Sequence, residues 1–133
     1  MSDREFIAQL EACTLPEDRF HHADHLRAAW FYLTQFPPAE AIRRFSNALR
    51  AYAASRGKPE RYHETITWAY LLLVNERIHA SGLSAEWDEF AAAHPDLFDW
   101  KNSILSRYYN EATLQSALAR RVFVMPDRLH VAR

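Results

Sequence analysis

The sequence predicts an all-α protein, a single domain over residues 1–133 built as an irregular bundle of five to seven helices. Alanine, leucine, glutamate and arginine dominate while β-branched residues are sparse, which favours helix over strand. Apolar residues recur at helical spacing along most of the chain. Gly57 and Gly82 each follow a helical pattern, where glycine commonly closes a helix. No repeat or long linker divides the chain, so one domain is expected.

Four helices are predicted in the first part of the chain, over residues 3–14, 22–36, 38–56 and 60–81. Leu15-Pro16 and Pro37-Pro38 separate the first three, because proline disfavours helix at the residue before it. The predicted inward stripes, in chain order, are Phe6, Leu10 and Cys13; Leu26, Ala29, Trp30 and Leu33; Ile42, Phe45, Leu49 and Tyr52; and Ile66, Ala69, Tyr70, Leu73 and Ile78. The fourth helix is apolar nearly all round between Trp68 and Val74, which predicts a central position in the bundle.

Shorter elements are predicted in the rest of the chain. A fifth helix begins after Ser84 and ends before His94-Pro95, a sixth spans residues 100–108, and one more lies within residues 110–121. Residues 122–126 should form an extended apolar segment across the bundle. The tryptophans lie on or beside apolar stripes and are expected at or near the core; they are Trp30, Trp68, Trp87 and Trp100.

Composition argues against several classes of function. Sixteen basic and seventeen acidic residues give a formal net charge of −1, so no field of one sign attracts nucleic acid. The arginines of the third helix are expected to form a solvated face. The N-terminus does not resemble a secretory signal, and no apolar run is long enough to span a membrane. The single cysteine, Cys13, suits a reducing cytoplasm and is expected to be buried. We therefore expect a cytoplasmic protein with neither nucleic-acid nor membrane partners.

The residues most informative for function are histidines at the starts of two helices. The segment from Phe20 to Leu26 contains His21, His22 and His25, and Tyr62-His63-Glu64 precedes the fourth helix. His22 and His25 are three residues apart and share a helix face. The second and fourth helices each join the third through a short turn, so in an up-down bundle they run parallel and begin at the same end. This arrangement predicts that His22, His25 and His63 lie within reach of each other.

Three imidazoles with an open position can bind a divalent transition metal, and residue type does not choose between zinc, iron, copper and nickel. A helix start also disfavours imidazolium, which leaves the neutral, ligating form. Glu64 is the candidate general base, fourth ligand or orienting carboxylate. The leading hypothesis is a small metal-binding protein with His22, His25 and His63 as ligands. If it is an enzyme, a point that stays open, the metal would activate water or a small oxidant.

Two other functions are consistent with the same sequence. One is a metal-free ligand-binding or regulatory domain, in which Arg107, Tyr108 and Arg120 join the histidines around a small anion. The other is a structural or protein-interaction module, in which the histidines merely cap or close the helices. The chain contains no His-Glu-x-x-His, glycine-rich phosphate loop or Gly-x-Ser-x-Gly elbow to decide between them.

Four motifs resemble those of a family of small all-helical bacterial proteins. They are Phe-x-His-x-x-His-Leu at 20–26, Tyr-His-Glu-Thr-x-Thr at 62–67, Arg-Tyr-Tyr at 107–109 and Ala-Arg-x-x-Phe-x-x-Pro-Asp at 119–127. The matches span most of the chain. The family has no established activity, so the resemblance implies a bacterial source and a connection between these segments, but no mechanism.

Overall fold

The computed structural model describes residues 1–81 and 86–128, and within these residues the chain forms seven α-helices and no strand. The helices are α1 (Asp3–Glu11), α2 (His22–Gln35), α3 (Pro38–Ser55), α4 (Glu64–Ala80), α5 (Trp87–Ala93), α6 (Glu111–Leu114) and α7 (Ala117–Arg121). Short 3-10 turns connect them at Glu17–Arg19, Pro59–Arg61, Pro95–Leu97 and Ile104–Arg107. The predicted all-α class is confirmed.

Local sequence signals explain where the long helices begin and end. Ser2 and Glu5 form a reciprocal capping box at the start of α1. Pro38 occupies the first turn of α3, where its missing N–H costs nothing. Gly57 follows α3 with φ of +70°, the left-handed conformation that glycine adopts most easily, so this predicted cap is confirmed. The corresponding prediction for Gly82 lies outside the described residues.

The core lies between α2, α3 and α4, each of which contacts the other two, while α1 packs against α2 and α3. The inward stripes of α1, α2, α3 and α4 are buried as predicted, with three exceptions. Cys13, Ile42 and Ile66 are partly exposed. Leu71 and Val74 of α4 are completely buried, which fits the predicted central position. Leu72 is nevertheless 44% exposed, so one face of α4 reaches solvent. None of the helices in the described ranges is both long and apolar enough to cross a bilayer.

Several sequence expectations are wrong in detail. Helix α1 ends at Glu11, and Cys13 takes a left-handed conformation (φ +59°) in the following turn, where it is partly exposed. The helix predicted over residues 100–108 is replaced by the 3-10 turn Ile104–Arg107. The Ser103 side chain caps this turn, and the Asp99 carboxylate accepts the Asn102 N–H in a separate turn before it. Trp100 is 57% exposed rather than at the core.

The segment after α7 crosses the bundle in an extended form, as predicted. The Thr65 hydroxyl donates to the Val122 carbonyl and accepts from the Val124 N–H. Phe123 stacks on Trp68, with ring centroids 5.5 Å apart. The carboxylate of Asp127 then bonds Asn110 and Thr113 at the start of α6. These contacts hold the end of the chain against the first turns of α4.

Candidate functional site

Helices α2 and α4 run in the same direction, as the sequence analysis required, but they do not begin at the same level. His22 packs on Tyr70, with ring centroids 4.9 Å apart. Further along α2, Trp30 packs on Phe90 of α5. Phe90 in turn packs on the His94 ring, and this ring forms a hydrogen bond with Arg77 near the end of α4. Tyr70 lies in the middle of α4, seven residues after His63. The first histidine of α2 therefore packs on a side chain from the middle of α4 instead of on His63.

His63 has a structural role in this arrangement. Its Nδ1 accepts the Ile66 N–H and caps α4, while its Nε2 donates to the Leu114 carbonyl, 2.6 Å away. Only 8% of the residue is exposed, and this burial lowers its pKa although the Leu114 bond opposes the shift. Both ring nitrogens are thus occupied in the neutral form. His63 has no lone pair left for a metal here, and its geometry fits the capping alternative.

The other two predicted ligands have separate surroundings. The Nε2 of His22 lies 2.9 Å from the Leu97 carbonyl, and its ring packs between Tyr70 and Trp100. The ring of His25 packs on Phe20, with centroids 4.1 Å apart. Burial lowers the pKa of His22, and it lowers the pKa of His25 to about 4 with a further contribution from the nearby histidines. The neutral form expected for these histidines is therefore favoured, chiefly by burial.

Among the described residues, no group of three or more histidine, cysteine, aspartate or glutamate side chains is arranged to hold a metal ion. The described structure does not bring His22, His25 and His63 together as one ligand set: both ring nitrogens of His63 are hydrogen-bonded, and the ring of His22 packs on Tyr70. Metal binding itself stays a prediction.

The alternative anion site stays a prediction. Arg120 donates to the Glu60 carbonyl near the start of α4. The Tyr108 carbonyl accepts from the Arg128 N–H, at the end of the segment that follows α7. In the described ranges, no hydrogen bond or ion pair connects Arg107, Tyr108 and Arg120 with one another.

The structure does form a cleft at the predicted residue Glu64. It has a volume of about 360 Å³ and lies between α3 and the first turns of α4. Six residues on one face of α3 and two on α4 line it: Ala39, Ile42, Arg43, Ser46, Asn47, Arg50, Glu64 and Trp68. Their spacing of three and four residues explains why a single helix face provides most of the surface. Trp68 turns toward the crossing segment to stack on Phe123.

An ion pair joins the two walls of the cleft. The Glu64 Oε1 accepts from Arg50, 2.8 Å away, and from the Tyr62 hydroxyl, 2.5 Å away. The Arg50 guanidinium also lies over the Tyr62 ring, 4.6 Å from its centroid. Burial, together with the bond to Glu64, raises the pKa of Tyr62 to about 12, so its phenol keeps the proton that it donates. One oxygen of Glu64 thus accepts two hydrogen bonds that hold the carboxyl group in place, and its role as a general base stays a prediction.

Ser46 is the unusual residue of the cleft. It is 4% exposed, and its Oγ has no well-formed hydrogen bond to any residue that the structure describes. The Tyr62 hydroxyl is its neighbour: Ser46 donates toward the phenol oxygen and so opposes the rise in the Tyr62 pKa, while Tyr62 gives its own proton to Glu64. The Oγ itself is enclosed by protein atoms, so Ser46 supports the wall of the cleft from behind.

Sequence reasoning misses most of this site. The pattern of α3 assigns Arg43 and Arg50 to a solvated face and gives Ser46 no role. The available signal is the polar Ser46 at an inner position of a helix whose other inner residues are apolar. Which side of α3 stays open depends on where α4 and the crossing segment pack, and the sequence pattern does not specify that.

Comparison with known proteins adds no relative. No family model, curated protein or solved structure matches the chain. The resemblance to small bacterial helical proteins stays a prediction, and any functional conclusion depends on the chain's own residues.

Proposed function

We propose that this protein binds a small organic molecule in the cleft between α3 and α4. The observation that carries the proposal is the cleft itself, about 360 Å³ in volume, whose two walls are joined by the Arg50–Glu64 ion pair. The proposal belongs to the metal-free ligand-binding class that the sequence allowed, with a different set of residues around Glu64.

The composition of the cleft supports this function. Ala39, Ile42 and the Trp68 ring offer apolar surface, while the exposed Asn47 offers hydrogen bonds. Small-molecule sites combine mostly apolar walls with a few polar groups in this way, and about 360 Å³ lies at the lower end of their usual volumes. The Arg50–Glu64–Tyr62 hydrogen bonds fix both walls in advance, which reduces the ordering that a ligand must impose.

A fragment screen followed by nuclear magnetic resonance tests the proposal. Compounds that bind should shift the backbone signals of residues lining the cleft, above all Ser46, and the Trp68 indole signal. Asn47→Trp, at an exposed position on the cleft face, should fill the cleft and abolish these shifts. The matched control is Ala92→Trp, which adds the same side chain to an exposed position of α5 away from the cleft.

The control variant should bind as the wild type does. A screen without any binder, or binders whose affinity Asn47→Trp leaves unchanged, would contradict ligand binding in this cleft.

A further inference from the structure

We propose that two copies of this protein dimerise by pairing their crossing segments as antiparallel strands about a two-fold axis. The crossing segment is the extended part of the chain after α7, and its residues 122–126 would form the pair. The proposal goes beyond ligand binding in the cleft and does not depend on it. It follows from which backbone groups of the segment are already bonded and from the charges at its two ends.

One edge of the crossing segment is bonded to the bundle. The Val122 carbonyl and the Val124 N–H bond the Thr65 hydroxyl. The Val124 carbonyl accepts from the Tyr109 hydroxyl, 2.7 Å away. The N–H and C=O groups of successive residues in an extended chain point to opposite sides, so those of Phe123 lie on the other edge.

This other edge offers the backbone groups of Phe123 and Met125. None of their N–H and C=O groups forms a hydrogen bond with a residue that the structure describes. The flanking side chains of Val122 and Met125 are 43% and 71% exposed, which places the segment at the surface. An exposed row of unpaired N–H and C=O groups is a template for pairing with another strand.

The edge is complementary to a second copy of itself. When two segments run antiparallel with their Val124 residues opposite each other, Phe123 of each copy lies opposite Met125 of the other. These two residues have the unpaired groups, so the copies can exchange backbone hydrogen bonds at both places. Pro126 has no N–H, but its backbone falls on the edge that faces the bundle and is not needed for the pairing.

The charges at the ends of the segment fit the same register. Arg121 precedes the segment and Asp127 follows it, so antiparallel pairing places Arg121 of each copy beside Asp127 of the other. Both residues are exposed, and Arg121 has no ion pair with any residue that the structure describes. A parallel arrangement would instead bring like charges together. The segment therefore favours a second copy of this chain, related by a two-fold axis, as its partner.

Sedimentation equilibrium over a range of protein concentrations tests the pairing. The wild-type protein should change from monomer to dimer as its concentration rises, and added salt should weaken the dimer. Arg121→Glu makes the pairs at both ends repulsive and should raise the dissociation constant about tenfold. Arg4→Glu makes the same charge change at an exposed position of α1 and, as the matched control, should leave the dissociation constant unchanged.

A backbone variant tests the hydrogen bonds themselves. Met125→Pro removes one N–H from the pairing edge of each copy and should raise the dissociation constant by about tenfold or more. Met125→Leu keeps both the N–H and an apolar side chain, so it should dimerise as the wild type does. Slow exchange of the Val124 amide, which is bonded to Thr65, checks that the segment of each variant stays in place.

The register has a signature of its own in nuclear magnetic resonance. In a mixture of isotope-labelled and unlabelled protein, the Val124 Hα of one copy should show a contact with the Val124 Hα of the other, since opposed residues without mutual backbone bonds lie closest together. A protein that stays monomeric at every concentration would overturn the proposal. A dimer that lacks the Val124 contact, or whose affinity either Arg121→Glu or Met125→Pro leaves unchanged, would overturn it as well.

Discussion

At the scale of single residues, burial decides the behaviour of the histidines at the helix starts. The ring of His25 packs against Phe20, which itself contacts Phe6 and Tyr52. Desolvation by these apolar neighbours disfavours the imidazolium form and lowers the pKa of His25 to about 4. A position chosen from sequence as a metal ligand is therefore occupied by a neutral packing residue.

This burial predicts an acid-sensitive contribution of His25 to stability. Its pKa is about 4 in the folded protein and about 6.5 in the unfolded chain, so the unfolded state binds the proton more readily as the pH falls through this interval. Between pH 7 and pH 5 the free energy of unfolding should fall about 2 kcal/mol further for the wild type than for His25→Phe. Urea unfolding of both proteins at each pH measures the difference, in which the other titrating groups cancel.

Equal pH dependence of the two proteins would show that His25 is accessible to protons in the folded state. The neutral form itself could be predicted from the position of His22, His25 and His63 at helix starts. Its main cause could not, because desolvation depends on side chains that only the fold brings together, such as Tyr70 against His22 and Tyr52 against Phe20.

At the scale of helices, the ends of α1 and α3 are built alike but with different residues. Both are followed by a residue in the left-handed conformation, which is Cys13 with φ of +59° after α1 and Gly57 with φ of +70° after α3. This conformation costs an L-amino acid with a side chain about 1–2 kcal/mol, whereas glycine adopts it freely. The end of α1 therefore costs conformational free energy, whereas the end of α3 does not.

Substitutions at Cys13 and Gly57 should change the free energy of unfolding in opposite directions. Gly57→Ala should lower the free energy of unfolding by about 1 kcal/mol, and the cost is purely conformational because an added Cβ meets no atom within 4 Å. Cys13→Gly should raise it by up to about 1 kcal/mol, less any packing lost with the thiol. Denaturant unfolding of the two variants and the wild type provides the comparison. A stabilising Gly57→Ala would mean that the turn relaxes to negative φ.

The helices with regular apolar stripes were predictable, whereas the short elements were not. The stripes of α2 and α4 identify their buried faces because packing requires this periodicity. Residues 100–108 show the limit, since the aromatic pattern there suggests a helix. Side-chain caps from Asp99 and Ser103 instead produce successive tight turns, which such a pattern does not reveal.

At the scale of the whole molecule, the placement of the cleft depends on a contact between distant parts of the chain. The parallel direction of α2 and α4 followed from short connections, but which residues of α4 the start of α2 contacts depends on how bulky side chains such as His22 and Tyr70 pack. The crossing segment at residues 122–128 adds a second constraint. It orients Trp68 through Phe123 and so fixes one wall of the cleft.

Thr65 is the residue that attaches this segment, which predicts a large effect of a small substitution. Thr65 is completely buried, and its hydroxyl bonds both the Val122 carbonyl and the Val124 N–H. Thr65→Val preserves the shape but leaves both backbone groups without partners, which should cost about 2–4 kcal/mol of unfolding free energy. Hydrogen exchange should speed up at Val124, and the Trp68 indole N–H resonance should shift as its contact with Phe123 loosens.

Thr67→Val provides the control, because the Thr67 hydroxyl bonds only the His63 carbonyl within the first turn of α4. It should leave exchange at Val124 and the Trp68 indole resonance close to those of the wild type. If Thr65→Val behaved in the same way, the segment would be held by its other contacts, which include Phe123 on Trp68, the Val124 carbonyl on Tyr109 and Asp127 on α6. The open wall of the cleft would then depend on aromatic packing and on the α6 cap, and not on the buried hydroxyl of α4.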